Sequence, residues 1–122
     1  MKTTKKTKSK REIIWDKYDK RCAYCGCKLE YKDMQVDHIQ SRYHHEYFKL
    51  KKNPDRIKNL NPSCRQCNFY KGNETLDVFR ERISTLHERL YKTFIFRFAL
   101  KYGIIERKEF DGKFYFEKRK EL

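Results

Sequence analysis

The chain has 122 residues, with 31 Lys and Arg against 17 Asp and Glu, so its formal net charge at pH 7 is +14. This excess of positive charge favours a polyanionic partner, and nucleic acid is the commonest one. No apolar run approaches the ~20 residues of a membrane span, the first residues lack a secretory signal, and an aromatic content of 16% argues against disorder. We therefore expect a folded intracellular domain without a membrane partner.

The N-terminal part contains one predicted helix. Residues 1–11 form a basic arm that we expect to be flexible. Residues 9–12 have the form of a capping box and are followed by apolar residues, which predicts a short helix over about residues 10–18. Cys22 and Cys25 then enclose a tight turn, because the glycine that follows them permits the reversal that points both sulfurs inward.

The middle of the chain predicts a strand, a loop and a helix. Residues 34–39 alternate weakly and contain β-branched residues, which predicts a short strand. Residues 40–58 are expected to form a long basic and aromatic loop. A helix is predicted to open next, with Pro62 in its first turn or Ser63 as its cap, and to end at Gly72.

The C-terminal part predicts a long helix and a hairpin. Between residues 76 and 103, apolar side chains recur at spacings of three and four, which is typical of an amphipathic helix. Its apolar stripe fits either the core or a dimer interface, so the oligomeric state stays open. Asp111-Gly112 between two apolar runs predicts a β-hairpin. The predicted units are therefore the arm, a core over residues 12–74 and an extension over residues 75–122.

The five cysteines need an explanation other than disulfides, which are rare inside cells. Cys22 with Cys25, and Cys64 with Cys67, form two Cys-x2-Cys pairs, the pattern of a tetrahedral zinc site. A structural zinc would supply folding free energy that a small core lacks. Reduced buried thiols are the alternative. Cys27 has no such pair, so we expect it to be an inert neighbour or a competitor of Cys25 for the ion.

A second group of polar residues lies close to the cysteine pairs and consists of Asp37, His38, Asn59 and Asn68. On the predicted helix Cys64, Asn68 and Lys71 share one face, so zinc would hold this face next to the strand that carries Asp37. Carboxylate and amide oxygens suit a hard cation such as Mg2+ or Mn2+. An imidazole beside them can take a proton from water near neutral pH. On a cationic protein this set of groups points to phosphodiester hydrolysis.

These motifs, in this order, resemble the zinc-containing HNH endonucleases of bacteria and phages over about residues 20–83. The motifs are Cys22-x2-Cys25, Asp37-His38-Ile39, Asn59-Leu60-Asn61-Pro62 and Cys64-Arg-Gln-Cys67-Asn68-x2-Lys71-Gly72. The resemblance implies an α+β fold built on a ββα-metal nuclease core with flanking helices. It also implies that Asp37 and Asn68 ligate the catalytic ion, that His38 activates the water, and that Asn59 hydrogen-bonds across the loop.

Two features depart from the family pattern. Asn68 stands where the family name expects a histidine, and Asn59 follows His38 by 21 positions without a glycine-rich turn between them. Positive side chains near the motifs are expected to contact nucleic acid, and these are Arg42, Arg65 and Lys71. His44 and His45, adjacent in the loop, are expected to be solvated or to contact phosphate rather than to bind metal.

The sequence thus predicts a metal-dependent endonuclease that hydrolyses DNA, with structural Zn2+ and catalytic Mg2+ or Mn2+. The resemblance implies 5′-phosphate and 3′-hydroxyl products, and a location in the cytoplasm or nucleoid of a bacterium or phage-infected host. The alternatives are a noncatalytic nucleic-acid-binding zinc module and a subunit of a larger DNA-processing complex. The Asp37, His38, Asn59 and Asn68 set favours the enzyme, because binding alone requires none of these residues.

Overall fold

The computed structural model describes residues 7–120, which combine short helices with one small antiparallel sheet. Two 3-10 turns occur, at Tyr31–Asp33 and Ile57–Asn59. The other elements in chain order are α1 Lys10–Asp16, β1 Gln35–His38, α2 Arg42–Tyr47, β2 Leu60–Ser63, α3 Arg65–Lys71, α4 Leu76–Ser84, α5 Leu86–Leu90, α6 Phe94–Lys101 and α7 Tyr115–Lys120. Within the described part of the chain, no helix is long and apolar enough to cross a membrane.

Helix α1 confirms the first predicted helix. The Ser9 hydroxyl accepts a hydrogen bond from the backbone N–H of Glu12 at 3.2 Å, as the capping box requires. Ile14 on this helix is buried in the core. The flexible arm predicted over residues 1–11 is wrong at its C-terminal end, because Lys10 and Arg11 belong to α1. Residues 1–6 of that arm lie outside the described residues.

Strands β1 and β2 pair antiparallel, with His38 opposite Leu60 and Val36 opposite Pro62. The strand predicted over residues 34–39 is thereby confirmed. The prediction that a helix opens at Pro62 or Ser63 is wrong, because both residues belong to β2. The proline fits a two-stranded sheet, where every strand is an edge and a missing N–H is tolerated. Its carbonyl accepts a hydrogen bond from the N–H of Ala23 at 2.8 Å.

Helix α3 follows β2 directly and begins one residue after Cys64. The Cys64 sulfur takes the N-cap position and accepts a hydrogen bond from the N–H of Cys67 at 3.4 Å. The helix ends at Gly72, as predicted, with a φ of +57° that favours glycine. Cys64 is therefore fixed by the helix end as well as by its place in the cysteine pair.

The long segment between the strands is not the continuous loop predicted over residues 40–58. It contains α2, which the Ser41 hydroxyl caps by accepting a hydrogen bond from the His44 N–H at 3.1 Å. The alternation of exposed and buried residues in this helix is too short to stand out in the sequence. One of its histidines, His45, is buried.

The C-terminal region differs most from the prediction. The single amphipathic helix is divided into α4, α5 and α6. Near the first break the Thr85 hydroxyl donates to the Glu81 carbonyl at 2.9 Å, and near the second the Thr93 hydroxyl donates to the Leu90 carbonyl at 2.7 Å. Threonine side chains that bond to preceding carbonyls weaken or bend helices.

The predicted C-terminal hairpin is wrong, because the segment after Gly112 forms α7. The N–H of Tyr115 donates to the Tyr24 carbonyl at 3.0 Å and the N–H of Phe116 to the Ala23 carbonyl at 2.9 Å. These backbone groups therefore bond to the turn between the first two cysteines instead of to a second strand. Phe114 is buried against Tyr24, with ring centroids 5.3 Å apart.

Candidate zinc site and active-site cleft

The two cysteine pairs converge on one point. The sulfurs of Cys22, Cys25, Cys64 and Cys67 all lie within 4.8 Å of one another, and those of Cys25 and Cys64 are 3.8 Å apart. A tetrahedral zinc with Zn–S bonds of about 2.3 Å requires sulfur separations of about 3.8 Å. All four are free thiols. The donor set and its spacing therefore fit zinc, and this cluster could bind the ion.

The turn that presents the first pair is built by local geometry. The N–H of Gly26 donates to the Cys22 carbonyl at 3.0 Å, and the φ of Gly26 is +80°. A Cβ at this position would lie 3.2 Å from the Tyr115 ring. Cys27 lies outside the cluster and is exposed, and its carbonyl accepts from the N–H of Cys22 at 2.8 Å.

Asp37 is the centre of a buried polar network. It is 3% exposed, and Lys71, which has no exposed surface, places its ammonium 3.3 Å from Oδ1 and 3.2 Å from Oδ2. The hydroxyl of Tyr24 donates to the Asp37 carboxylate, and the Lys71 ammonium also donates to the His38 carbonyl at 2.8 Å. Burial raises the pKa of Asp37 above its ordinary value, although Lys71 and Tyr24 oppose this shift.

His38 belongs to a different and more exposed network. Its Nε2 lies 2.7 Å from Oδ1 of Asp55. The Arg42 guanidinium donates to both oxygens of the same carboxylate, at 2.9 and 3.0 Å. These hydrogen bonds, first that of His38 and then that of Arg42, hold the pKa of Asp55 below its ordinary value.

Asp55 is the site residue that sequence reasoning missed. It lies 17 positions after His38 in a segment predicted as loop, so no periodicity relates the two residues. The available signal was weak. Within the loop, Asp55 follows Asn53 and Pro54, and the Asn53 side chain accepts a hydrogen bond from the Asp55 N–H at 2.9 Å, a turn that such residues favour.

Asn59 closes the base of the loop. It is 4% exposed, and its Oδ1 accepts from the Gln40 N–H while its Nδ2 donates to the Gln40 carbonyl, both at 2.9 Å. The same Nδ2 donates to the Pro54 carbonyl at 2.8 Å. The bonds to Gln40 join the second residue after β1 to the residue before β2, across the base of the loop.

One cleft of about 320 Å³ is lined by Asp37, His38 and Asn68, together with Arg42 and Tyr43. The structure thus brings four of the predicted site residues together, namely Asp37, His38, Arg42 and Asn68. Asp37 and Asn68 contribute one carboxylate and one amide oxygen, a donor set that fits Mg2+ or Mn2+, which keep several waters and take few protein ligands.

The three predicted nucleic-acid contacts fall in different places. Arg42 is exposed and lines the cleft. Lys71 is fully buried against Asp37, so its ammonium does not reach the surface as a phosphate contact requires. Arg65 is exposed but lines a separate groove with Cys27 and Cys64.

The adjacent histidines do not join a metal cluster. His45 is held between the Ser41 carbonyl, 2.9 Å from its Nδ1, and the Arg56 guanidinium, 3.0 Å from its Nε2. Nδ1 of His44 lies 3.1 Å from the Ser41 hydroxyl. Among residues 7–120, the four cysteines are the only group of three or more His, Cys, Asp or Glu side chains that lie close enough together to hold one ion.

Residues 22–74 match the family described as HNH endonuclease. The matched segment contains the cysteine cluster and the cleft, so the similarity to this family covers the whole candidate site. No curated protein and no solved structure matches the chain.

Proposed function

We propose that the protein is a metal-dependent endonuclease that hydrolyses phosphodiester bonds in DNA, with β1, β2 and α3 as a ββα-metal nuclease core. The observation that carries the proposal is the shared cleft of Asp37, His38 and Asn68. The match of residues 22–74 to the HNH endonuclease family supports nuclease activity in general. The net charge of +14 supports a nucleic-acid substrate.

His38 is the proposed general base. With Nε2–H donated to the Asp55 carboxylate, the lone pair of the imidazole lies on Nδ1, which makes no hydrogen bond to another described residue. Nδ1 takes a proton from water as the water oxygen attacks phosphorus. The bond from phosphorus to the 3′ oxygen then breaks, and the leaving oxygen takes a proton from solvent.

Asp55 acts here as a positioning residue. Its carboxylate fixes the tautomer and the ring orientation of His38, and Arg42 in turn fixes the carboxylate through two hydrogen bonds. A base held in one orientation loses less entropy on reaching the transition state. Asn59 supports this arrangement by holding the Pro54 carbonyl, one residue before Asp55.

Asp37 and Asn68 are the proposed ligands of the catalytic ion. When bound, a divalent ion would supply positive charge against the negative charge that develops on the phosphate and on the leaving oxygen. Lys71 and Tyr24 hold the Asp37 carboxylate in one orientation from below the cleft. The four cysteines are the proposed zinc ligands, and they fix α3, which carries both Asn68 and Lys71.

The test is cleavage of supercoiled plasmid by the purified protein with and without Mg2+ or Mn2+. We expect cleavage only with the ion, and we expect His38→Ala to lower the rate by about 10²–10⁴-fold. Zinc content, folding and DNA affinity should remain unchanged in this variant. His87→Ala is the matched control, because His87 bonds to the Lys108 carbonyl and does not line the cleft.

Two results would contradict the proposal. Cleavage by His38→Ala at the wild-type rate would exclude the assigned base. A wild-type protein that binds DNA but never cuts it with either ion would instead support a noncatalytic zinc module.

A further inference from the structure

Four aromatic rings stand together at the surface beside the cleft. They belong to α2 and the residue that follows it, and they are Tyr43, His44, Tyr47 and Phe48. Tyr43 stacks on Tyr47 and His44 stacks on Phe48, with ring centroids 5.8 and 6.0 Å apart. Edge contacts of 5.9 Å between Tyr43 and His44 and 5.0 Å between Tyr47 and Phe48 close the set, which we call the aromatic quartet.

The aromatic quartet faces solvent instead of the core. Tyr43, Tyr47 and Phe48 are 60%, 66% and 60% exposed. On the same short helix the inward position belongs to His45, which is 4% exposed. The packing of α2 against the rest of the domain thus buries His45 and leaves the rings of Tyr43, Tyr47 and Phe48 at the surface. Contiguous exposed apolar surface of this kind marks a site of interaction.

The position of the aromatic quartet indicates what it contacts. Tyr43 lines the same cleft as His38 and Asn68, so the quartet is continuous with the proposed reaction site. A DNA strand whose phosphate enters this cleft carries its neighbouring bases within reach of α2, because successive phosphates lie only a few ångströms apart along the backbone.

The charge around the aromatic quartet favours a polyanion. Residues 42–52 contain four positive side chains, Arg42, Lys49, Lys51 and Lys52, and one negative side chain, Glu46, so their net charge is +3. All five are exposed. Exposed aromatic rings beside positive side chains are the two components with which proteins bind single-stranded nucleic acid, through stacking and phosphate contacts respectively.

We propose that the aromatic quartet stacks on unpaired bases of the strand whose phosphate occupies the cleft. The preferred substrate is accordingly DNA with unpaired nucleotides next to the cleavage point, such as a flap, a bulge or a single strand. Paired bases in an intact duplex keep their faces covered and offer the rings no such surface. This inference rests on the proposed function, because it assumes that the cleft holds a DNA phosphate.

The test compares two single-stranded oligonucleotides of equal length, one with thymine bases and one abasic throughout, in buffer without divalent ions. The two strands carry the same phosphates and differ only in stacking surface. We expect wild-type protein to bind the thymine strand about 5- to 150-fold more tightly, the range that one stacked base provides. Tyr43→Leu/Tyr47→Leu should lose this preference while its affinity for the abasic strand stays unchanged.

A matched control is available on α6, where Phe94 and Phe98 form another exposed stacked pair with centroids 5.3 Å apart. Phe94→Leu/Phe98→Leu should keep the wild-type preference for the thymine strand. Circular dichroism and zinc content should be the same for both double variants and the wild type, since leucine is a good helix former.

Three results would overturn the proposal. These are equal binding of both strands by the wild type, a retained preference in Tyr43→Leu/Tyr47→Leu, and tighter binding of intact duplex than of the thymine strand. The binding assay contains no cleavage step, so its outcome is independent of the plasmid assay. A protein that cuts plasmid but shows no base preference keeps the proposed function and loses the aromatic quartet as a stacking site.

Discussion

Two carboxylates flank the proposed base, and their surroundings are opposite. Asp37 is buried with Lys71 and Tyr24, whereas Asp55 lies in the half-exposed loop with His38 and Arg42. Both carboxylates contact a cation and a hydrogen-bond donor. The main difference between them is therefore burial: Asp37 is enclosed by the fold, whereas solvent can reach Asp55.

The difference has an energetic meaning. A buried ion pair is costly to break, because removal of one partner leaves an uncompensated charge in a medium of low polarity. An exposed pair contributes little to stability, because water screens it. The Asp37 network is thus suited to hold the Asp37 carboxylate rigidly as a ligand of the proposed ion. The Asp55 network is suited to position His38, a proposed base that must exchange protons with water.

The largest expected effect is the loss of the Asp37 and Asp55 networks together when the fold that holds them is lost. Removal of zinc with a strong chelator should unfold residues 22–74, because zinc–thiolate sites of this type supply about 10–16 kcal/mol of apparent binding free energy. Tyr24 lies between Cys22 and Cys25. Lys71 lies on α3, whose N-cap and first turn carry the other two cysteines. Near-ultraviolet circular dichroism and metal analysis test this. A folded, zinc-free protein with five titratable thiols would contradict it.

The next effect should fall on stability through the buried network alone. Lys71→Met should destabilise the fold by about 3–5 kcal/mol in urea unfolding, because the Asp37 carboxylate loses its buried counter-charge. Lys58→Met, at an exposed position, is the matched control and should change the free energy of unfolding by less than about 0.5 kcal/mol.

A double variant sharpens this measurement. Lys71→Met/Asp37→Asn removes both charges and should recover most of the lost stability, since neutral replacements of a buried pair cost little. If the double variant is as unstable as Lys71→Met, packing of the lysine stem and not its charge holds the network together.

A smaller effect on activity should follow from the exposed network. Asp55→Asn should lower the cleavage rate by about 10–100-fold, by analogy with the carboxylates that orient metal-binding histidines. Stability and zinc content should stay at the wild-type values. Asp33→Asn, an exposed aspartate outside the cleft, is the control and should cut normally.

The tautomer of His38 separates positioning from general structure. Nitrogen NMR of the imidazole should show the proton on Nε2 in the wild type and a mixture of tautomers in Asp55→Asn. An unchanged tautomer together with a wild-type rate would exclude a positioning role for Asp55.

The smallest expected effect is a pair of pKa shifts in opposite directions for Asp37 and Asp55. Carbon NMR of the side-chain carboxyls should place the midpoint of Asp37 above the ordinary aspartate value and that of Asp55 below it. A lowered pKa contributes stability above the unfolded pKa, which is lost as the pH falls through the folded pKa. A raised pKa has the reverse sign: stability falls as the pH rises from the unfolded pKa to the folded pKa, and the full cost remains at higher pH. Shifts in the same direction would refute the contrast.

The sequence predicted features whose chemistry is local. The spacing of Cys22, Cys25, Cys64 and Cys67 indicated the cluster, because two intervening residues let one turn present two sulfurs. The capping box at Ser9 and the glycine at position 72 likewise marked helix ends by short-range rules.

Features that depend on distant contacts were missed. The pairing of His38 with Asp55 requires the folded loop, and no pattern in the chain encodes it. The apolar runs around Gly112 predicted a hairpin, but the backbone of Tyr115 and Phe116 found its hydrogen-bond partners in the cysteine turn. Helix α2 escaped prediction because only six residues form it.

The hydrogen bonds of Asn59 have a consequence for how this domain can diversify. They close the segment between the strands at its base, so β1 and β2 keep their register whatever the length of chain that leaves and returns there. With the buried His45 kept in place, the exposed residues 46–52 can then be shortened, lengthened or exchanged without displacing the imidazole of His38. In such an arrangement the segment proposed to contact the substrate can change separately from the residues of the proposed active site.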